Sequence, residues 1–225
     1  MEVTARSSSH LSRSLSFPFP AAKIRFATVK IEEIVELHYI TPIKNVPSIL
    51  QRGILSHNRA ARLSHDDISM PEIQHVRAQK RVPGGLNLHD YANVYFNGRN
   101  KMMAKRRPEH DRLCVLRVSP QALNISGGVI ADQNASSKYA LFLPSPLGLQ
   151  KLHREEVFVR SWKCPDDQIR EWRLGSVVCA EFLVPHVIDP SLILGAYVLD
   201  GAARTRFTEL EANLECVVNA DIFLR

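Results

Sequence analysis

Residues 177–184 read VVCAEFLV, an apolar run with a single acid, Glu181, inside it. The run is short and carries three valines, so we predict a buried strand over Val177–Val184. Comparable patterns at 111–118 and 192–199 predict two further buried strands. Helical patterns separate these strands without a regular strand–helix–strand alternation. This order favours an α+β fold over a doubly wound sheet.

The N-terminal half predicts two more strands, at Leu37–Thr41 and Leu88–Phe96. A short helix is expected after the first of them. Asn45 is placed to cap this helix, Pro47 is tolerated in its first turn, and Gly53 is expected to end it.

Other segments predict helices and short strands, whereas residues 124–175 show little periodicity. The predicted helices span Pro71–Arg81, Arg99–Arg107 and Ala202–Leu214, and the predicted short strands span Cys216–Val218 and Ile222–Leu224. A chain of 225 residues with 45% hydrophobic residues is large enough for one ordinary core, so we expect a single folded domain.

The first residues differ in composition from the rest of the chain. Residues 1–30 contain five basic residues and one acid, so they contribute about four of the six formal positive charges. We interpret residues 1–34 as a disordered, basic, Ser-rich leader, with a targeting segment or an over-long start as the alternatives. The folded domain is then expected over 35–225 and is only mildly basic, so the charge alone is weak support for nucleic-acid binding.

Several classes of site have no support in the sequence. The four cysteines form no C-x-x-C pair and the nine histidines form no H-E-x-x-H pattern, so we predict no catalytic metal. A dinucleotide-binding G-x-G-x-x-G after a strand and a phosphate-binding P-loop are both missing. No apolar run is long enough to span a membrane, and we expect a cytoplasmic protein with reduced cysteines.

Four blocks of the sequence, in order, resemble the DarT family of DNA-modifying toxins. They are His38–Asn58, Arg77–Phe96, Arg99–Met103 and Ala180–Val184. The second block holds the most specific pattern, V-P-x-G followed by L-H-D-Y-x-x-x-Y-F. The order and spacing of the blocks also match the family.

The resemblance implies an ADP-ribosyltransferase fold, with two small packed β-sheets flanked by helices and an NAD cleft between the sheets. It implies NAD as co-substrate and transfer of ADP-ribose to a base, thymine or guanine, of single-stranded DNA. The segment 95–103 departs from the commoner family form, which favours the guanine-modifying branch. The implied partner is a macrodomain-type or other antitoxin that removes the ADP-ribose, and we expect the chain to be a monomer.

Glu181 is the predicted catalytic carboxylate. Departure of nicotinamide leaves an oxocarbenium-like ribose, which a fixed carboxylate in a dry cleft stabilises. An acid within an apolar run is costly to bury without a partner or a function, although periodicity alone favours a solvent-facing glutamate at a strand edge. The resemblance places the catalytic acid at Glu181, whereas the competing acids Glu155 and Glu156 lie outside the family pattern.

Arg77 is the second predicted catalytic residue, and the resemblance also gives it a contact with NAD. A guanidinium keeps its proton, with a pKa above about 12, so it is a poor general base. We expect it to act by its charge, favouring the deprotonated ring nitrogen of the acceptor base. The alternative is a solvated arginine, with Lys80 and Arg81 as equivalent charges.

The first block is implied to bind NAD through Tyr39, Ile40, Thr41, Ser48 and Leu55. The family often has histidine at the position of Tyr39, whereas this chain carries His38 one place earlier. Neighbouring residues of a strand face opposite sides, so either Tyr39 takes over the contact or the register is shifted by one.

Aromatic and basic side chains are candidates for single-stranded DNA. They are Tyr95, Phe96, Arg99, Lys101, Lys105, Arg106 and Arg107, followed by Asp132, Lys138 and Tyr139 in the loop before Glu181. We interpret the consecutive residues His89, Asp90 and Tyr91 as structural. Two alternatives to the DNA transferase remain: a transferase that modifies RNA or protein, and a non-catalytic nucleic-acid binder with a decayed fold.

Overall fold

The computed structural model describes residues 27–225. The leader predicted at the N-terminus lies outside the described residues up to position 26. Residues 27–34, assigned above to that leader, pack against the core instead: Val29 and Ile34 are buried, and the Val29 amide donates to the carbonyl of Leu152 at 3.2 Å. The folded unit therefore begins before the predicted boundary at residue 35.

The described chain contains ten strands and seven helices, connected by turns and short 3-10 segments. The strands are β1 Leu37–Pro42, β2 Ile54–Leu55, β3 Tyr91–Tyr95, β4 Leu113–Val118, β5 Val129–Ala131, β6 Phe142–Pro144, β7 Glu181–Pro185, β8 Val187–Ile188, β9 Ile193–Val198 and β10 Cys216–Val218. The helices are α1 Val46–Arg52, α2 His57–Ala60, α3 Pro71–Ala78, α4 Lys101–Lys105, α5 Arg154–Val157, α6 Gln168–Val177 and α7 Gly201–Thr208.

The main sheet consists of two four-stranded halves that meet at a single point. Its strand order is β10-β9-β4-β1-β3-β7-β5-β6, and β2 and β8 form a separate two-stranded sheet. Strand β1 pairs with β4 along its whole length, but with β3 only through His38 and Tyr95. The two halves are not paired beyond this point. The predicted α+β fold is confirmed, but the two sheets expected from the resemblance are joined into one eight-stranded sheet by the β1–β3 pair.

Alternation along β7 decides which side chains face the core. Phe182 and Val184 are fully buried in the main hydrophobic cluster. Glu181 and Leu183 point to the opposite face, because successive residues of a strand alternate. Strand β7 lies between β3 and β5 in the sheet. Glu181 therefore lies on the face of the sheet that turns away from the main core.

The prediction of a strand over Val177–Val184 is wrong in its first half, because helix α6 continues to Val177 and β7 begins only at Glu181. Leu174 and Val178 are one helical turn apart and pack with Trp162, so this end of the apolar run is a helix face. A short apolar run does not distinguish the two structures by periodicity alone.

Three smaller predictions also need correction. Residues Ile222–Leu224 form a turn closed by backbone bonds, not a strand. Helix α7 ends at Thr208, well before the predicted Leu214. The Asn45 side chain does not cap α1, because it bonds instead to the backbone of Asp66.

Gly53 ends α1 in a conformation that favours glycine, at φ 84° and ψ 177°. A Cβ there would lie 2.3 Å from the carbonyl oxygen of Ile188, in the strand that pairs with β2. We expect Gly53→Ala to lower the free energy of unfolding by roughly 2–3 kcal/mol, measured by urea denaturation.

Gly84→Ala is the matched control. Gly84 also has a positive φ, 69°, but no atom lies within 4 Å of the added Cβ. Only the backbone strain of about 1 kcal/mol is expected at this position. Equal losses at the two glycines would show that contact with Ile188 contributes nothing.

Candidate active site

A cavity of about 520 Å³ opens where β1 and β3 diverge. Residues of both strands, of α3, α4 and α6, and of the loop 61–70 line it. Glu181 also lines the cavity, and its neighbours across the sheet are Tyr95 on β3 and Ala131 on β5. The gap between the two sheet halves thus becomes a cleft with one buried acid in its wall.

The Glu181 side chain is 1% exposed, and two donor groups make three hydrogen bonds to its carboxylate oxygens. Arg77 Nη1 donates to Oε1 at 3.2 Å and to Oε2 at 3.1 Å, and the backbone amide of Ala135 donates to Oε1 at 2.9 Å. A buried carboxylate needs such compensation, since removing a charge from water is costly. The two residues predicted to be catalytic therefore lie in direct contact.

Arg77 reaches this acid from the last turn of α3. It is the one buried residue of this helix, at 7% exposure. The two alternative cations are engaged elsewhere, because Lys80 donates to the carbonyl of Ser137 and Arg81 donates to that of Gly85. Burial and the neighbouring Arg77 charge lower the pKa of Lys80. Of these three basic residues, only Arg77 therefore donates to the Glu181 carboxylate.

Five of the six residues predicted to bind NAD line the cavity: Tyr39, Ile40, Thr41, Leu55 and Arg77. Ser48 lies on α1 and is not among the cavity-lining residues.

The side chains of His38 and Tyr39 lie on opposite faces of β1, because successive residues of a strand alternate. His38 bonds to Glu36 at 3.2 Å and does not line the cavity, whereas Tyr39 does. Burial, with a smaller contribution from the Asp67 charge, raises the pKa of Tyr39 to about 12. Its hydroxyl therefore stays protonated at neutral pH and is available as a donor.

The consecutive residues His89, Asp90 and Tyr91 do not converge on one point. The His89 ring bonds to the side chain of Gln74 at 3.0 Å, and Asp90 accepts from the side chain of Asn58 at 2.7 Å. The Tyr91 hydroxyl accepts from the backbone amide of Leu86 at 3.1 Å. His89 also packs against the ring of His57, with 4.0 Å between the ring centroids. These contacts are of the structural kind expected from the sequence.

The structure divides the DNA candidates into two groups. Tyr95, Lys101 and Lys105 line the cavity. Phe96 is buried in the core, so its prediction as a stacking platform is wrong.

The remaining candidates lie outside the cavity lining. Two arginines are held by the protein itself: Arg99 Nε donates to the carbonyl of Arg160 at 3.1 Å, and Arg106 binds Glu109 and the carbonyl of Ser69. Asp132 accepts from the amide of Leu141, and three residues are exposed, namely Arg107, Lys138 and Tyr139.

Sequence reasoning missed two parts of the cavity wall. The loop 61–70 is held by Asn45, whose side chain exchanges two hydrogen bonds with the Asp66 backbone at 2.9 and 3.1 Å. Helix α6 contributes Trp172, which is 64% exposed and also lines the cavity. The available signal for the second region was a tryptophan within the polar segment 165–173.

Residues 38–221 match the family model described as "ssDNA thymidine ADP-ribosyltransferase, DarT". The chain belongs to the DarT family. The family resemblance of the four sequence blocks is thereby confirmed.

This DarT chain is 30% identical over 192 residues to a protein of Thermosipho africanus named "DNA ADP-ribosyl transferase-DNA ADP-ribosyl glycohydrolase fusion protein". The match covers 82% of this chain and 46% of the fusion protein, so the chain spans about half the length of that relative.

Two solved structures of DarT from Thermus sp. 2.9 share the fold. One, in complex with ADP-ribosylated ssDNA, superposes with a TM-score of 0.73 at 24% identity and covers 88% of this chain and 99% of that one. The other, in complex with NAD+, has a TM-score of 0.66 at 22% identity and covers 84% and 98%.

Among residues 27–225, no group of three or more histidine, cysteine, aspartate or glutamate side chains is placed to hold a metal ion. Within the same residues, no helix is both long and apolar enough to cross a membrane.

Breaking the buried ion pair from one side should destabilise the fold. Arg77→Met leaves the Glu181 carboxylate buried with only the Ala135 amide as donor, and we expect the free energy of unfolding to fall by about 3 kcal/mol. Glu181→Gln keeps the shape and an acceptor for that amide. The double variant should therefore lose less than the sum of the two single losses, by about 1–3 kcal/mol in urea denaturation. Additive losses would contradict a direct interaction.

Proposed function

We propose that this chain transfers ADP-ribose from NAD to a thymine or guanine base of single-stranded DNA and releases nicotinamide. The observation that carries the proposal is the buried Glu181 carboxylate, fixed by Arg77 and the Ala135 amide in the wall of a cavity. The names of the related Thermosipho and Thermus proteins, as DNA ADP-ribosyl transferases, support the acceptor class.

Glu181 acts on the first step. The bond between ribose C1′ and the nicotinamide nitrogen breaks, and its electron pair leaves with nicotinamide. The ribose is left with an oxocarbenium-like positive charge, which the Glu181 carboxylate stabilises. The carboxylate is held in place before the reaction by its three donor contacts, so it needs little reorganisation when the charge develops.

Arg77 acts on the second step. A ring nitrogen of the acceptor base forms the new bond to C1′, and the proton of that nitrogen is released. The guanidinium remains protonated and favours the anionic form of the base by its charge. NAD and the base are thus converted to the ADP-ribosylated base, nicotinamide and one proton.

The same activity implies a toxin. ADP-ribose on template bases blocks use of the DNA, so we propose that an ADP-ribose-removing antitoxin, of macrodomain or other type, accompanies this chain. The Thermosipho relative, which is named as a fusion of transferase and glycohydrolase, supports this pairing. We further propose a monomer acting in the cytoplasm, where NAD and single-stranded DNA are both present.

Transfer is tested with purified protein, labelled NAD and single-stranded oligonucleotides. We expect label on the DNA, and a loss of about 10²- to 10³-fold in transfer rate for Glu181→Gln, because one preorganised electrostatic group contributes about this much.

Glu156→Gln is the control variant. Glu156 is also a buried carboxylate in an ion pair, bonded to Arg173, but it does not line the cavity. We expect it to lose stability while keeping the transfer rate. An active Glu181→Gln protein would overturn the proposed mechanism.

The outcome also separates the competing functions. Label on RNA or on protein would identify a transferase with another acceptor, and binding of DNA without transfer would identify a non-catalytic binder. Mass spectrometry of the digested, modified oligonucleotide identifies whether thymine or guanine carries the ADP-ribose. In bacteria, expression of wild type should arrest growth and expression of Glu181→Gln should not.

A further inference from the structure

Trp172 is an exposed tryptophan in the lining of the cavity. It is 64% exposed, whereas Trp162, the other tryptophan of the chain, is 7% exposed and packs in the core. A large aromatic side chain left in contact with solvent loses the free energy that burial would provide. Its position in the cavity wall suggests that a ligand covers it.

The face of α6 that lines the cavity leads from Trp172 toward the reacting carboxylate. The lining residues of this segment are Trp172, Gly175, Ser176 and Cys179, which follow the spacing of one helix face. Cys179 is two residues before Glu181. The helix rise of about 1.5 Å per residue places Trp172 about 7.5 Å before Val177, the last residue of α6.

Cations lie beside this face. Lys101 and Lys105 are one turn apart on α4 and both line the cavity. A Cβ at Gly175 would lie 3.0 Å from Lys101 Nζ, so the absence of a side chain at Gly175 lets the ammonium group lie over α6. An aromatic ring and two ammonium groups that line the same cavity are the combination that binds single-stranded nucleic acid, through base stacking and phosphate contacts.

We infer that Trp172 is a stacking platform for a base that flanks the modified base, with Lys101 and Lys105 binding the phosphates nearby. This inference rests on the proposed function for the identity of the acceptor. Trp172 lies nine residues before Glu181 and more than one helical turn before the end of α6, so we assign its ring to a neighbouring base and not to the reacting base.

Kinetics test the platform in the full chain. We expect Trp172→Ala to raise KM for the oligonucleotide by about 10- to 100-fold, with a much smaller effect on KM for NAD, and Trp172→Phe to restore most of the loss. Ile169→Ala is the matched control, because Ile169 is 77% exposed on the same helix but does not line the cavity. Equal KM values for wild type and Trp172→Ala would overturn the inference.

An abasic scan locates the contact. A single abasic nucleotide is moved along the oligonucleotide, and one flanking position should weaken transfer by wild type. Trp172→Ala should be insensitive to the abasic site at that position, because the stacking partner is already missing. Identical scan profiles for the two proteins would show that no base stacks on Trp172.

Tryptophan fluorescence tests the same contact without the reaction. Addition of a single-stranded oligonucleotide should quench the indole emission of wild type and protect it from acrylamide, and Trp172→Phe should lose both effects. This readout also distinguishes the two proposals. Quenching without ADP-ribose on the DNA would contradict the proposed function and support the platform, whereas transfer without quenching would do the reverse.

Discussion

The buried Arg77–Glu181 ion pair is stable only if the rest of the structure holds both side chains in place and provides further hydrogen bonds. Two opposite charges with little exposure lie 3.1 Å apart in the wall of the cavity. Burying such a pair costs several kcal/mol per ion, and attraction recovers this only when geometry and further hydrogen bonds are good. The Ala135 amide, which lies in the loop after β5, provides the further hydrogen bond. The pair therefore depends on three segments that are far apart in sequence.

The split in the main sheet provides the space in front of this pair. Fully paired strands at β1 and β3 would close the gap, since neighbouring strands lie about 4.8 Å apart. Pairing stops at His38 and Tyr95, and the strands beyond it carry Tyr39, Thr41 and Asn93 to the cavity wall. The single pairing of His38 with Tyr95 thus determines where the cleft begins and which residues of β1 and β3 face a ligand.

The fold could be predicted from the sequence in more detail than the contact between Arg77 and Glu181. Fold class and family followed from blocks that keep their order and spacing, and strands β1, β3, β4 and β9 lie within one to three residues of their predicted bounds. The contact between Arg77 and Glu181 joins residues 104 positions apart, and no local pattern encodes it. It was accessible only because the family resemblance singled out both residues.

Other features depended on tertiary contacts that local patterns do not contain. Arg106 appeared to be a surface cation but holds the carbonyl of Ser69 at 2.8 Å, next to the start of α3. Asn45 appeared to be a helix cap but fixes the Asp66 backbone instead. Helix α6 escaped detection because half of its residues are exposed, so its apolar pattern was weak, and because the apolar run at its end was interpreted as a strand. In each case a polar side chain or a partly exposed face had more than one physically reasonable role.

Energetics explain why the ion pair argues for function more strongly than for stability. Well-packed apolar residues of similar volume often replace a buried ion pair with no loss of stability, or with a gain. Helix α3 buries only Arg77 of its eight residues, so packing contributes little to holding the helix in place. A fold selected for stability alone would gain by making this contact apolar. Under the proposed function, the pair is a charge arrangement maintained for a substrate that develops positive charge at the ribose, with Glu181 stabilising that charge and Arg77 interacting with the incoming base.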